Sequence, residues 1–399
     1  MATRVTAPTL AGLKVVEFAQ VIAGPMAGTL LADLGADVIH VESPAGDPAR
    51  SMGPAKNGVP LWWKVLGRNK RSVTLNLHEA DGVRLAHRLV EWADVAIVTF
   101  RHSTVEAFGL DYETLKQINP KIVLLQLSGY GAASSRRDEP GLGKVGEARS
   151  GVVHLTGALD GPPIHTGFSH GDAVAGLMGA FAITAAIRNQ KDPDFQGEWI
   201  DLALFEPLFR LVDWQIIVRD QLGVAQQRTG NRLPVAPAAV INTYCSADGV
   251  WITVTSANAR TVLAVVDLLN LDRDQYATNA SQVEHRDELD AALAEWVGNH
   301  DADTALGKLQ EMGVVASRIF DAGDILEDDT YRELGDIVTL RDPQLGNVRM
   351  QGVIPRLAVR PGNLWRTGAE LGEDNELVWR EWLGLSAEEF GQFRSRGVI

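Results

Sequence analysis

A two-domain α/β protein is what this sequence predicts: a parallel sheet covered by helices on both faces, joined to a smaller α/β unit. Three observations predict it. Short apolar runs alternate with helical patterns through the first two hundred residues. An irregular stretch, Gln226 to Ala239 with Gly230, Pro234 and Pro237, separates that region from a different pattern. The length of 399 residues exceeds what one typical core organises.

Lys14-Val-Val-Glu-Phe18 reads as the first strand, followed by a Gly-Pro loop. Met26–Leu34 is helical in pattern and is stopped by Gly35, and Val38-Ile-His-Val41 is the next strand. Val73–Leu77 reads as a strand, and Ala80–Ala93 as a helix with Asp81 in its first turn. Val95–Val98 and Ile122–Leu127 continue the series, and Leu202–Leu222 reads as one or two long helices. Beyond the linker, Val240–Cys245, an Asp248-Gly249 turn and Val250–Thr255 form a hairpin. Helices near 257–270, 286–299 and 302–312 and a strand at Val314–Ile319 follow. The last seventy residues hold a strand at Asn347–Met350 and a helix near Glu376–Trp382. The boundaries expected are 1–225 for the large domain, 226–330 for the small one, and 331–399 for a segment returning to the large domain.

Composition excludes several functions. A net charge of −14 opposes a general nucleic-acid binder, because phosphates would be repelled. The longest uncharged apolar run, Ala173–Ile187, is fifteen residues, too short to cross a bilayer. The N-terminal residues contain no apolar core of a signal peptide, so the cytoplasm is the expected location. One cysteine, Cys245, allows no intrachain disulfide and no cysteine metal cluster.

The loop Ala19–Gly28 invites a dinucleotide-binding reading, but Gly24 and Gly28 alone do not make G-x-G-x-x-G, and Pro25 removes an N–H. A dehydrogenase is therefore disfavoured. Lys64, Arg68, Lys70 and Arg71 cluster within eight residues, which suits either a solvated patch or an anion site. His165-Thr-Gly-Phe-Ser-His-Gly-Asp172 leads into a helix rich in small residues. Asp172 then falls at the N-cap or first turn, where the helix dipole is expected to keep its carboxylate ionised. A capping aspartate and an attacking carboxylate flanked by Gly171 both fit. His154, His165 and His170 read as structural rather than basic catalysts, and the ten tryptophans as packing residues.

Several segments in order carry a resemblance. They are Leu10-Ala-Gly-Leu-Lys-Val-Val-Glu-Phe18, Ala23-Gly-Pro25, Leu34-Gly-Ala-Asp-Val-Ile-His-Val-Glu42 and Arg68-Asn-Lys-Arg-Ser-Val-Thr-Leu-Asn-Leu77. Leu127-Ser-Gly-Tyr-Gly131, Ser150-Gly151, Thr156-Gly157 and Gly171-Asp-Ala-Val-Ala-Gly176 complete the set. Together they resemble the family III CoA-transferases, the CaiB/BaiF-like group. The resemblance implies a Rossmann-like large domain, an interlocked homodimer, and CoA transfer from an acyl-CoA donor to a carboxylic acid acceptor. It implies Asp172 as the catalytic carboxylate, passing through a mixed anhydride and an aspartyl-CoA thioester, with no metal or redox cofactor. It further implies that CoA is bound by Ala23, Lys70, Arg71, Leu75, Asn76, Leu77, His78, Phe100, Arg101, Gly143 and Lys144.

Departures from the family pattern are Thr99 in place of Asn, Ile22 in place of Gln or Glu, and Leu142-Gly143 in place of a Tyr-acid pair. Pro234-Val-Ala-Pro-Ala238 stands where some members carry a tetraglycine loop. Fewer polar groups near the carboxylate point away from oxalate and toward a larger or more apolar acyl group. The alternatives on the same fold are an acyl-CoA racemase or isomerase, or a CoA-binding protein without catalysis.

Overall fold

The computed structural model describes residues 7–256 and 258–399. The chain divides into two compact units. One runs up to Val153 and takes in His165–Leu222 and Arg332–Ile399; the other comprises His154–Ile164 and Gly223–Tyr331. The short segment His154–Ile164, assigned from sequence to the large domain, thus belongs to the second unit.

The first unit is built on β1 (Lys14–Phe18), α1 (Ala23–Asp33), β2 (Asp37–Glu42), β3 (Lys70–Thr74), α2 (Ala80–Trp92), β4 (Val95–Val98) and β5 (Val123–Ser128). It continues through α3 (Gly143–Ser150), α4 (His170–Ile187), β6 (Glu198–Ala203), α5 (Glu206–Leu211) and α6 (Trp214–Leu222). The six strands are all parallel, in the order β3-β2-β1-β4-β5-β6. The order reverses between β1 and β4, and such a reversal opens a crevice at the carboxyl ends of the strands where ligands bind.

Alternation along each strand divides the core. Val16 and Phe18 face a cluster with Leu85, Leu89, Trp379 and Phe393; Val15 faces the opposite cluster with Ala27, Leu31, Ala175 and Ile183. Both faces are therefore buried, which is why the strands read as continuous apolar runs. Helix α4 packs along α1 through small residues, with Gly176 against Ala23 and Met26, and Gly179 against Ala27. At eighteen residues it exceeds the apolar run read from sequence and is, by length and composition alone, apolar enough to cross a membrane. Its small-residue face is instead spent on α1 and the sheet.

The second unit pairs β7 (Val240–Cys245) with β8 (Trp251–Ser256) and β8 with β9 (Val315–Arg318), all antiparallel. Helices α7 (Ala259–Leu268), α8 (Arg286–Gly298) and α9 (Ala302–Glu311) cover this sheet with Val262, Leu293 and Leu309. Afterwards the chain forms a hairpin of β10 (Ile337–Asp342) and β11 (Gly346–Gln351), then a π-helical turn at Leu377–Trp382 and helix α10 (Ala387–Ser395).

Three local expectations need correction. The third strand begins at Lys70, not Val73, because Lys70 is buried by an ion pair rather than solvated. Leu202 belongs to an edge strand, β6, whose Asp201 accepts the Ala132 and Ala133 N–H groups; the helices begin only at Glu206. The Asn347 strand has a partner, Ile337–Asp342, that carries charges at its end and was not read from sequence.

Candidate active site

The crevice at the strand ends holds one group of the expected CoA contacts. Leu75, Asn76, Leu77, His78 and Phe100 line a pocket of about 100 Å³ together with Phe18 and Phe108. His78 and Phe100 each set a ring edge-on against Phe108, with centroids 5.3 and 5.6 Å apart. This gives an apolar, aromatic wall suited to a flat ring. The turn holds its shape through the His78 N–H on Asn76 Oδ1 at 3.1 Å and the Asn76 N–H on the Val398 carbonyl at 2.8 Å. Arg101 follows Phe100 at the start of the short helix His102–Ala107. Its side chain is exposed and, among the described residues, makes no ion pair. A guanidinium with five unspent donors beside an aromatic pocket suits a phosphate.

Lys70 and Arg71 stand elsewhere. The Lys70 ammonium is buried on the α1 side of the sheet, 2.6 Å from Glu17 Oε1 and 2.7 Å from the Pro25 carbonyl. Arg71 lies over the Trp382 ring at 4.4 Å and 3.3 Å from Asp37 Oδ1. Lys64 and Arg68, the rest of the basic cluster, pair with Asp342 and Asp33. The cluster is therefore a set of separate ion pairs, not one anion site, and Lys70 does not line the pocket.

A second group gathers around Asp172, in the first turn of α4. The N-cap is Ser169, so Asp172 caps nothing and its carboxylate is left to the site. Gly143, the first residue of α3, lies against it so closely that a Cβ there would overlap the carboxylate. A Cβ on Gly171 would come within 2.6 Å of the Gly143 carbonyl. Two glycines thus allow two helix starts to meet at the acid.

Beneath them lies Glu147, which the sequence reading did not single out. It is 1% exposed and accepts the Gly171 N–H at 3.1 Å, Lys144 Nζ at 3.0 Å and His165 Nδ1 at 2.6 Å. Burial opposes its charge, but these hydrogen bonds hold its pKa below the ordinary value. Lys144 also donates to the Thr166 and Phe168 carbonyls, so its three N–H groups are spent within the protein. The spacing Gly143-x-x-Gly-Glu147 was the available signal, because it puts the acid one helical turn from the glycine that meets Asp172.

The pKa shift expected for Asp172 is corrected in direction, while its carboxylate stays mainly ionised at neutral pH. Its pKa is raised to about 6, first by burial and then by the Glu147 charge, with Lys144 opposing. The dipole of the helix start is outweighed because the Gly171 N–H serves Glu147 instead. Ala23 is buried at the start of α1, with its carbonyl 2.7 Å from the place of a Gly176 Cβ. The register Gly176 to Ala23 and Gly179 to Ala27 runs the two helices in the same direction. Asp172 lies one turn before Gly176 on the same face of α4, the face that packs on the start of α1.

An apolar crevice at a sheet reversal with a desolvated carboxylate nearby is the equipment of an enzyme that handles a large nucleotide-bearing acyl group. The chain belongs to CoA-transferase family III, which matches residues 10–375. It is a CoA-transferase, an enzyme that moves CoA between an acyl-CoA thioester and a carboxylic acid. It is 37% identical to a succinyl-CoA–D-citramalate CoA-transferase of Chloroflexus aurantiacus, over 97% of each chain. It is 30% identical to the β subunit of a succinyl-CoA–L-malate CoA-transferase of the same organism, over 100% of this chain and 99% of that one. Among solved structures, a CaiB/BaiF family protein from Brucella suis superposes with a TM-score of 0.83 at 31% identity, covering 94% of this chain and 100% of that one. These relatives carry the transferase reading rather than the racemase alternative.

Proposed function

We propose that this enzyme transfers CoA from succinyl-CoA to a four- or five-carbon dicarboxylic acid, with Asp172 as nucleophile. The observation that carries the role of Asp172 is its carboxylate lying between Gly143 and Gly171, half-buried and unused as a cap. An Asp172 oxygen attacks the thioester carbonyl carbon; the C–S bond breaks and CoA leaves as thiolate, giving a mixed anhydride. The thiolate attacks the Asp172 carbonyl carbon and releases the donor carboxylate, leaving an aspartyl-CoA thioester. An oxygen of the acceptor carboxylate attacks that thioester and expels the thiolate again. The thiolate then takes the acceptor's acyl carbon from the second anhydride, and Asp172 is restored. Charges balance at each step without a net proton.

Leu75, Asn76, Leu77, His78, Phe100 and Arg101 hold the nucleotide end of CoA in this reading, and Ala23 and Gly143 border the thioester. Lys144 and His165 act through Glu147 and not on a phosphate. The relatives' names support a dicarboxylic acceptor in place of the more apolar acyl group expected from sequence.

The chain works as a dimer in the cytoplasm. Support comes from the exposed Phe209, Leu211, Ile216, Ile217 and Leu222 on α5 and α6, and from α6 having no buried residue. A surface that apolar needs a partner. One relative is a β subunit, so the partner is either a second copy or a related chain.

The test is intact-protein mass spectrometry after mixing with succinyl-CoA, followed by hydroxylamine or borohydride trapping. An adduct on Asp172 that disappears in Asp172→Ala supports the mechanism. Turnover without any Asp172 adduct, or turnover by Asp172→Ala, sinks it.

A further inference from the structure

The β1–α1 loop, which leads into the part of α1 that packs on α4, contains a residue that the family resemblance leaves unexplained. Val21 has φ +65°, a left-handed conformation that a β-branched side chain strongly disfavours. It persists only if its surroundings fix it, and they do. Both oxygens of Asp47 accept the Val21 N–H, at 3.1 and 3.2 Å, while Thr99 Oγ1 accepts the preceding Gln20 N–H at 3.1 Å.

Asp47 is itself held. Its own N–H donates to Glu42 Oε2 at 2.9 Å, and its Oδ1 accepts the Ala49 N–H at 2.7 Å. Its Oδ2 lies 3.3 Å from His40 Nε2, and His40 Nδ1 lies 2.6 Å from Glu17 Oε1. Glu17 takes the Lys70 ammonium, which also donates to the Pro25 carbonyl. Glu17, His40, Asp47 and Lys70 are all buried. Gly28 makes room for the chain, since a Cβ there would overlap the Glu17 carboxylate. One run of buried charges therefore grips the loop by the Val21 N–H and the first turn of α1 by the Pro25 carbonyl.

We infer that Asp47 is a positioning residue for CoA transfer: it holds Val21 in its strained conformation and so sets Ile22 and Ala23 against the turn of α4 that carries Asp172. A purely structural ionic chain would not need its end on a strained amide. Asp47 touches no reacting atom, and its effect passes through the loop. The inference rests on Asp172 as nucleophile.

The experiment compares wild type, Asp47→Asn, Val21→Gly and the Asp47→Asn/Val21→Gly double variant, each checked for melting temperature. Turnover is measured with succinyl-CoA over a range of dicarboxylic acceptors. Asp47→Asn is expected to lose tenfold or more in kcat, with the KM for acyl-CoA changed less than threefold. Glycine adopts φ +65° without help, so the double variant is expected to recover most of that kcat. Asp47→Asn with wild-type kcat, or a folded double variant no faster than Asp47→Asn, overturns the inference. Should Asp47→Asn fail to fold, hydrogen exchange of the Val21 amide in the wild type decides. Slow exchange supports the clamp, and exchange at the rate of a free peptide overturns it. Turnover by Asp172→Ala would refute the Asp172 reading, whereas an active wild type with an equally active Asp47→Asn would refute the positioning role alone.

Discussion

Gly143 and Asp172 sit so close that no side chain fits between them: the first residue of α3 is pressed against the carboxylate that opens α4. Both helices start at the same point, and the acid lies where their ends converge. Geometry of this kind ties activity to the absence of a single methyl group.

Gly143→Ala is expected to lower kcat/KM at least 100-fold, about 2.7 kcal/mol in the barrier. The fold should survive, because the added Cβ meets a carboxylate rather than backbone. Steady-state kinetics with a melting curve on the same sample separate the two effects.

Glu147 adds its charge to burial in raising the pKa of Asp172 to about 6. With Asp172 as the proposed nucleophile, only its ionised form can attack, so kcat/KM should fall below about pH 6. Glu147→Gln removes the like charge and releases Lys144, whose charge favours an ionised Asp172. The acid limb should therefore move to lower pH, and a limb that stays in place or moves up contradicts the assignment.

Stability should respond in the opposite sense to activity. A carboxyl whose pKa is raised by folding contributes stability below its unfolded pKa and loses it as pH rises through the folded value. For Asp172 that window is roughly pH 4 to 6. Asp172→Asn keeps the neutral shape, so at pH 7.5 it should be more stable than wild type by about 1–3 kcal/mol. Denaturant titrations should show that difference vanishing at pH 4.

His40 predicts a second window. Burial alone would lower its pKa, but hydrogen bonds to Asp47 and Glu17, with the Glu17 and Glu42 charges, raise it to about 9. The stability from its charge is complete below about pH 6.5 and is lost as pH climbs through 9. The melting temperature should fall across that range, and His40→Gln should flatten the slope while lowering the whole curve.

Arg101 and Lys70 were named together from sequence, yet their burial separates them. Arg101→Ala should raise the KM for acyl-CoA about tenfold, near 1.4 kcal/mol, with less effect at high salt. Lys70→Met strands Glu17 in the core and should cost about 3–5 kcal/mol of stability. A folded Lys70→Met with a raised KM would reverse this division.

The sheet was legible because its strands, buried on both faces, stand out as apolar runs between helical patterns. The place of Asp172 in the first turn of α4 was legible because Gly171-Asp-Ala-Val-Ala-Gly176 combines an acid with the small residues that pack α4 on α1. Lys70 was misread because a lysine beside three other basic residues looks solvated, and only Glu17, 53 positions away, shows otherwise. Asp47 left no local mark, and the spacing that marks Glu147 shows nothing of its role, since their partners Val21, His165 and Gly171 meet them only after folding. The direction of the Asp172 pKa shift was missed for the same reason: the helix dipole is written locally, and the neighbouring acid is not.

Trp379, Val378, Phe393 and Val398 close the face of the sheet that β1 to β4 begin to build. A ribosome adding about 5–20 residues per second would need roughly ten to forty seconds to travel from β6 to that turn. Throughout that interval the newborn sheet carries an uncovered oily side. Its exposure to wrong partners is therefore set by the pace of translation, and slowing synthesis between Leu222 and Leu377 should lower the soluble yield without altering the finished enzyme.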